Sequence, residues 1–133
     1  MNLSPRNNLV LGFVLDKAAA KGLEQLALKR GWLILYNATA DQAAQEVRRF
    51  KPQVVIVQFS IHLGEALEVI DILRTRWPRT PLIAVTSLHN DDIERAIRGA
   101  GASCYLSGKA WDDLLDQAVA AMATKGSSMA KAE

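Results

Sequence analysis

Cysteine occurs once in this chain of 133 residues, at Cys104, and histidine twice, at His62 and His89. One thiol excludes an intramolecular disulfide and any zinc site built on several thiolates. No apolar run approaches the ~20 residues that span a bilayer, because Lys, Arg, Asp or Pro interrupts every one. The first eight residues carry Arg6 but no apolar stretch, so no secretory signal is expected. Neither sign of charge dominates: 16 Lys and Arg stand against 14 Asp and Glu, a net charge of +2. That balance gives no electrostatic case for nucleic acid or an anionic membrane as partner. What is present is 50% hydrophobic, 23% charged and near zero in mean hydropathy (+0.04), a globular composition of single-domain length. The expectation is one soluble, cytoplasmic domain over residues 1–123, with a flexible tail or linker stub at 124–133, where apolar periodicity is lost.

Apolar periodicity alternates along the chain. Short continuous runs at residues 9–15 (LVLGFVL), 32–36 (WLILY), 54–59 (VVIVQF), 82–85 (LIAV) and 104–106 (CYL) suit strands buried on both faces. Between them, apolar residues recur at helical spacing: Ala19, Leu23, Leu26 and Ala27; Ala43, Ala44 and Val47; Ala66, Leu67, Ile70, Leu73 and Trp77; Ile93, Ala96, Ile97 and Ala100. A fifth stripe, Leu114, Leu115, Ala118, Val119 and Met122, follows Asp112 and Asp113, whose charge complements a helix N-terminus. Gly31, Pro52, Pro78 and Gly101 supply stop signals. Five strands alternating with five helices predict an α/β fold, a doubly wound five-stranded parallel sheet with helices on both faces. Right-handed crossovers then gather every strand-to-helix loop at the carboxyl edge, where such folds bind ligands.

That edge is poor in carboxylates. A Mg²⁺ site wants near-octahedral oxygen ligands including one or two carboxylates. The first loop offers Asp16 beside Lys17; the third strand offers Gln58, a neutral amide. Asp91 and Asp92 lie several residues past the fourth strand and are expected to cap a helix. Thr86, Ser87 and Lys109 could meet an anion, although hydroxyls and lysines are common in loops. His62 and His89 show no short ligand spacing, so no metal is expected. The Gly-Ala-Gly at 99–101 follows a helix, not a strand, and reads as a helix stop instead of a dinucleotide loop. Cys104, inside a strand, reads as an inert thiol.

Three stretches then converge. Residues 51–58 (KPQVVIVQ), 67–86 (LEVIDILRTRWPRTPLIAVT) and 100–106 (AGASCYL), with the spacings between them, resemble the receiver domain of two-component response regulators. The resemblance spans roughly residues 8 to 122 and implies a flavodoxin-like three-layer sandwich that takes part in phosphorelay signal transduction. It places the family's phospho-acceptor aspartate on Gln58, its adjacent acidic pair on Val14 and Leu15, its switch hydroxyl on Thr86 and its switch aromatic on Tyr105. The family lysine falls on Gly108, and a one-residue slip reaches Lys109. An amide forms no acyl phosphate, and at most Asp16 remains of about three pocket carboxylates. The resemblance therefore implies a pseudo-receiver: not an enzyme, without cofactor or metal, with Asp16, Thr86 and Lys109 as a vestigial pocket.

The expected partner is a protein: a kinase, an output protein, or a second copy in a homodimer. The contact surface implied is the fourth helix, fifth strand and fifth helix, whose mixed charges (Glu94, Arg95, Arg98, Asp112, Asp113, Asp116) suit reciprocal pairing across a two-fold axis. No nucleic acid is expected to bind within this chain. Gln58 is expected to hold one state by bonding Thr86 or Lys109. Two alternatives stay open: phosphate accepted at a non-standard residue, Ser60 or Asp16, and a small-anion sensor using the vacated pocket.

Overall fold

A computed structural model describes residues 9–36, 38–88, 90–108 and 111–132, with backbone only at residue 112 and from residue 124 onward. Five strands, β1 (Val10–Val14), β2 (Leu33–Leu35), β3 (Val54–Phe59), β4 (Leu82–Thr86) and β5 (Cys104–Ser107), form one parallel sheet in the order β2-β1-β3-β4-β5. Five helices alternate with them: α1 (Lys21–Arg30), α2 (Ala40–Glu46), α3 (Leu63–Arg76), α4 (Asp91–Ala100) and α5 (Trp111–Ala132). A 3-10 turn at Lys17–Ala19 leads into α1.

Every residue of β1, β3 and β4 is buried, as apolar runs without polar alternation require when helices cover both faces. Alternate side chains feed two layers. Leu11, Phe13, Val55, Val57 and Phe59 pack with Ala43 of α2, Ile70 and Leu73 of α3 and Ile97 of α4. Val10, Val14, Val54, Ile56, Ile83 and Val85 pack with Leu23 of α1 and with Trp111, Leu115 and Val119 of α5. The outer strands correct the expectation of burial on both faces. Leu33 is exposed, Ile34 and Leu35 are half-buried, and Tyr105 alone is fully buried in β5. An edge strand has a neighbour on one side only, so water reaches it.

Helix ends follow side-chain chemistry. Thr39 caps α2, its hydroxyl accepting from the Gln42 N–H. Asn90 caps α4 through Oδ1 and the Ile93 N–H at 2.9 Å. Asp91 and Asp92 thus occupy the first turn of α4 instead of its cap, where they still complement the dipole. Gly31 closes α1 in the left-handed region at φ 77°. In α5, Leu115 and Val119 face the sheet while Leu114 points outward, 50% exposed, which removes it from the expected apolar face. The backbone of α5 stays helical to Ala132, past residue 123 where the apolar stripe ends.

One polar knot ties the amino edge. Arg74, near the end of α3, donates from Nε to the Gly101 carbonyl at 2.7 Å. Its Nη1 reaches the carbonyls of Trp77 (3.0 Å) and Thr80 (2.5 Å), and its Nη2 reaches Ser103 Oγ (3.1 Å). Ser103 Oγ also accepts from the Leu82 N–H at the start of β4. Burial pushes the Arg74 guanidinium below its ordinary pKa.

Candidate functional site

The chain runs from β1 outward to β2, then crosses back to β3, β4 and β5. The connection therefore reverses between β1 and β3, and the crevice for a ligand should open outside the carboxyl ends of those two strands. Gln58 stands there, next to last in β3, 1% exposed and in register with Val14 of β1 and Val85 of β4. Its carbonyl accepts the Leu15 N–H at 2.9 Å, and its side-chain Oε1 accepts the Asp16 N–H at 3.1 Å. The amide thus adds one more rung to the β1–β3 ladder and draws the two strand ends together across the switch point. This corrects the expected bond from Gln58 to Thr86, whose hydroxyl accepts from the Leu88 N–H instead. The main chain of β1 reaches Gln58 first, because the register places Val14 beside it.

Asp16 is turned to a local task. Its Oδ1 accepts the Ala18 N–H at 3.1 Å and caps the 3-10 turn. Its neighbour Lys17 lies over the Tyr36 ring, 5.3 Å from Nζ to the centroid. Tyr36 in turn donates its hydroxyl to Glu24 at 2.5 Å, a bond that raises its pKa above the ordinary phenol value. The charges of the first loop are therefore engaged, Asp16 with the backbone and Lys17 with the Tyr36 ring.

Thr86 and Tyr105 meet at one peptide. Thr86, 1% exposed at the end of β4, binds the Leu88 N–H at 3.2 Å. The Tyr105 hydroxyl donates to the Leu88 carbonyl over a long 3.4 Å. Tyr105 is buried, and burial is the largest influence raising its pKa; a hydrogen bond with Ser107 opposes it and Glu94 adds to it. Sequence reasoning named both side chains but missed Leu88, whose part is played by main-chain atoms. Ser60 is buried at the start of the β3–α3 turn, while Ser87 and His62 are exposed. Lys109 and His89 lie outside the described residues. Cys104 is half-buried, and burial raises its thiol pKa more than Arg98 and the Tyr105 N–H lower it.

Four of the six charges expected to pair across an interface, Glu94, Arg95, Arg98 and Asp116, have partners within the chain. Arg95 meets Asp92 at 2.9 Å and Arg98 meets Glu94 at 2.9 Å along α4. Asp116 of α5 takes Arg30 of α1 in a two-pronged bond at 3.1 and 2.6 Å. The guanidinium holds that carboxylate below its ordinary pKa.

No family model matches the sequence, and no curated protein matches it. Solved structures do. A signal receiver domain from Vibrio parahaemolyticus superposes with a TM-score of 0.75 at 21% identity, covering 95% of this chain and 97% of its own. A CheY-like response regulator receiver domain protein from Methanospirillum hungatei gives a TM-score of 0.73 at 18% identity, covering 92% and 98%. The receiver domain of a sensor histidine kinase from Pseudomonas aeruginosa, solved with a magnesium ion coordinated in its active site cleft, gives 0.73 at 15% identity, covering 88% and 98%. Five parallel strands in one sheet with five helices here match the flavodoxin-like fold of receiver domains.

Magnesium does not fit the described residues at this edge. Of the oxygen donors, Gln58 Oε1 is bonded to a backbone N–H and Asp16 Oδ1 caps a turn. Among the described residues no three His, Cys, Asp or Glu side chains cluster as metal ligands. Nor, among them, is any helix long and apolar enough to cross a membrane.

Proposed function

We propose that this domain is a non-catalytic signalling module that works by protein contact, a degenerate receiver that takes up no phosphate by the Mg²⁺-dependent aspartate route. The observation that carries this reading is Gln58. It stands where the receiver resemblance puts the phospho-acceptor, and its carbonyl oxygen closes the crevice between β1 and β3. An amide is no nucleophile toward a phosphoryl donor, and Val14 and Leu15 replace the acidic pair that would hold the metal. The non-standard acceptors fare no better: Ser60 is buried and no base among the described residues bonds its hydroxyl, and Asp16 holds a cap.

Switching, where it occurs, then comes from a partner that binds one conformer better. The surface of α4, β5 and α5 is the site proposed for a kinase, an output protein or a second copy; no nucleic acid or membrane is needed. Intact-mass analysis after incubation with acetyl phosphate and Mg²⁺ tests the pocket. Neither the unaltered chain nor Gln58→Asp should gain a phosphoryl group, since the substitution restores one carboxylate and no metal ligands. Efficient, metal-dependent labelling of either protein would overturn the reading. Pull-down with solution mass measurement then identifies the partner and the oligomeric state.

A further inference from the structure

The net charge of +2 hides a separation of charge. Parallel strands joined by right-handed crossovers send every helix from the carboxyl edge to the amino edge. First turns carry acids, Asp41 in α2, Glu65 in α3 and Asp91 and Asp92 in α4, while the last turn of α3 carries Arg74 and Arg76. The basic excess peaks at the amino edge of β3 and β4. Residues 47–53 (VRRFKPQ) lead into β3, and residues 74–81 (RTRWPRTP) lead from α3 into β4. Together they hold Arg48, Arg49, Lys51, Arg74, Arg76 and Arg79, six of the chain's 16 Lys and Arg, and no Asp or Glu. The Val55 N–H donates to the Pro81 carbonyl at 3.0 Å, so the two connections end side by side. Arg49 is taken by Glu46 at 3.3 Å, and Arg74 by the knot. Arg48, Lys51, Arg76 and Arg79 are exposed, and their side chains have no hydrogen-bond or ion-pair partner among the described residues. The α3 dipole accounts for Arg76, but Arg48, Lys51 and Arg79 lie past the helix ends, where that effect fades. Pro52, Pro78 and Pro81, three of the chain's four prolines, stiffen the same connections, so little order is lost when these cations are engaged.

Guanidinium forks fit carboxylates and phosphates alike, and the surroundings decide between them. Phe50 is half-buried with Arg49 over its ring, 5.6 Å from Cζ to the centroid, and Trp77 is buried. The exposed large hydrophobic residues among those described all lie elsewhere. The patch thus offers no ring for bases to stack on and no apolar anchor for a bilayer. The carboxylates of a polypeptide need neither.

We infer that the amino edge of β3 and β4 is a second contact surface, apart from α4, β5 and α5, and that it docks an acidic segment of a partner protein through Arg48, Lys51, Arg76 and Arg79. It is independent of what position 58 does. A ¹H–¹⁵N titration of the full chain with a short oligoglutamate peptide at low salt tests it, with oligothymidylate of equal charge and vesicles of phosphatidylserine and phosphatidylcholine in parallel. Saturable shifts centred on residues 47–53 and 74–81 are expected with oligoglutamate, weakening several-fold as salt rises to the physiological level. The double variant Arg76→Glu, Arg79→Glu should weaken the peptide about tenfold, as the loss and reversal of two exposed ion pairs implies. Arg48→Glu with Lys51→Glu should do the same from the neighbouring connection. Lys17→Glu with Lys21→Glu makes an equal change in net charge at the opposite edge and should leave the affinity within about twofold. Thermal melts of all three double variants check that each is folded, and either amino-edge pair suffices if the other is not. Shifts that fail to saturate or centre elsewhere overturn the surface, as does an equal loss in the Lys17 and Lys21 variant. Tighter binding of oligothymidylate or of the vesicles at the same residues would overturn the acidic polypeptide as its partner.

Discussion

Replacing Arg74 with alanine takes away every guanidinium bond of the knot at the amino edge in one step. The carbonyls of Gly101, Trp77 and Thr80 and the hydroxyl of Ser103 lose bonds of 2.7, 3.0, 2.5 and 3.1 Å. A charged donor contributes about 1.5–3 kcal/mol per bond when enclosed, but Arg74 is only half-buried and about 1 kcal/mol each is the fairer figure. Four such bonds set a ceiling of about 4 kcal/mol, and water reaching the freed carbonyls brings the expected loss to about 2–3 kcal/mol. With a urea slope of about 1.5 kcal/mol/M, the unfolding midpoint should fall by about 1.3–2 M. Circular dichroism and the fluorescence of Trp77, buried beside the knot, should report the same transition. Arg74→Lys keeps the charge but offers one nitrogen in place of a planar fork, so it should recover less than half of the loss. Arg76→Ala, two positions on and exposed, should stay within about 0.5 kcal/mol of the unaltered chain. An Arg74→Ala midpoint no lower than that of Arg76→Ala would refute the reasoning.

Gly101 takes φ 124°, and a Cβ there would stand 2.5 Å from Arg74 Cγ. Gly101→Ala should therefore destabilise by about 2–3 kcal/mol, and by about 1 kcal/mol less in an Arg74→Ala background; additive effects in a double-mutant cycle would show that the two do not collide. Asp116 has its folded-state pKa lowered by Arg30, so its contribution is present above the ordinary carboxylate value and lost as pH falls through the folded one. Asp116→Asn should lower the melting temperature at neutral pH and low salt, and the difference should vanish in acid; a pH-independent difference would exclude the ion pair as its cause. Both described tyrosines have raised pKa values, Tyr36 chiefly through Glu24 and Tyr105 chiefly through burial. Ultraviolet titration should find neither ionising at the ordinary phenol value, and the associated stability, full below that value, should fall as pH rises through the folded ones. Two phenols titrating together at the ordinary value would contradict both environments.

The architecture was legible because its signals are local. The β3 boundaries, 54–59, and the stop of α3 before Trp77-Pro78 follow from apolar runs and proline alone. The candidate site was legible only as a set of residue types. That Gln58 bonds the Asp16 N–H depends on the pairing of Val14 with Gln58, a tertiary register that no local pattern carries. Asp16 reads as a pocket carboxylate because it is the one acidic residue in the loop after the first strand; its side chain answers to the turn two residues ahead. Arg74 gave no signal at all, since its acceptors are main-chain carbonyls and one serine hydroxyl gathered from two separate connections. The caution extends to Asn90, where an amide outcompeted two adjacent aspartates for the cap.

The peptide of Leu88 gives its N–H to Thr86 and its carbonyl to Tyr105. Both links ignore the side chain at that position, which is 40% exposed and available to whatever lies outside. Position 88 can therefore change its outward character freely across a lineage while the tie between β4 and β5 persists. Proline is the exception, because it deletes the N–H and leaves the carbonyl. A single Leu88→Pro exchange would cut Thr86 loose from a loop that Tyr105 still holds.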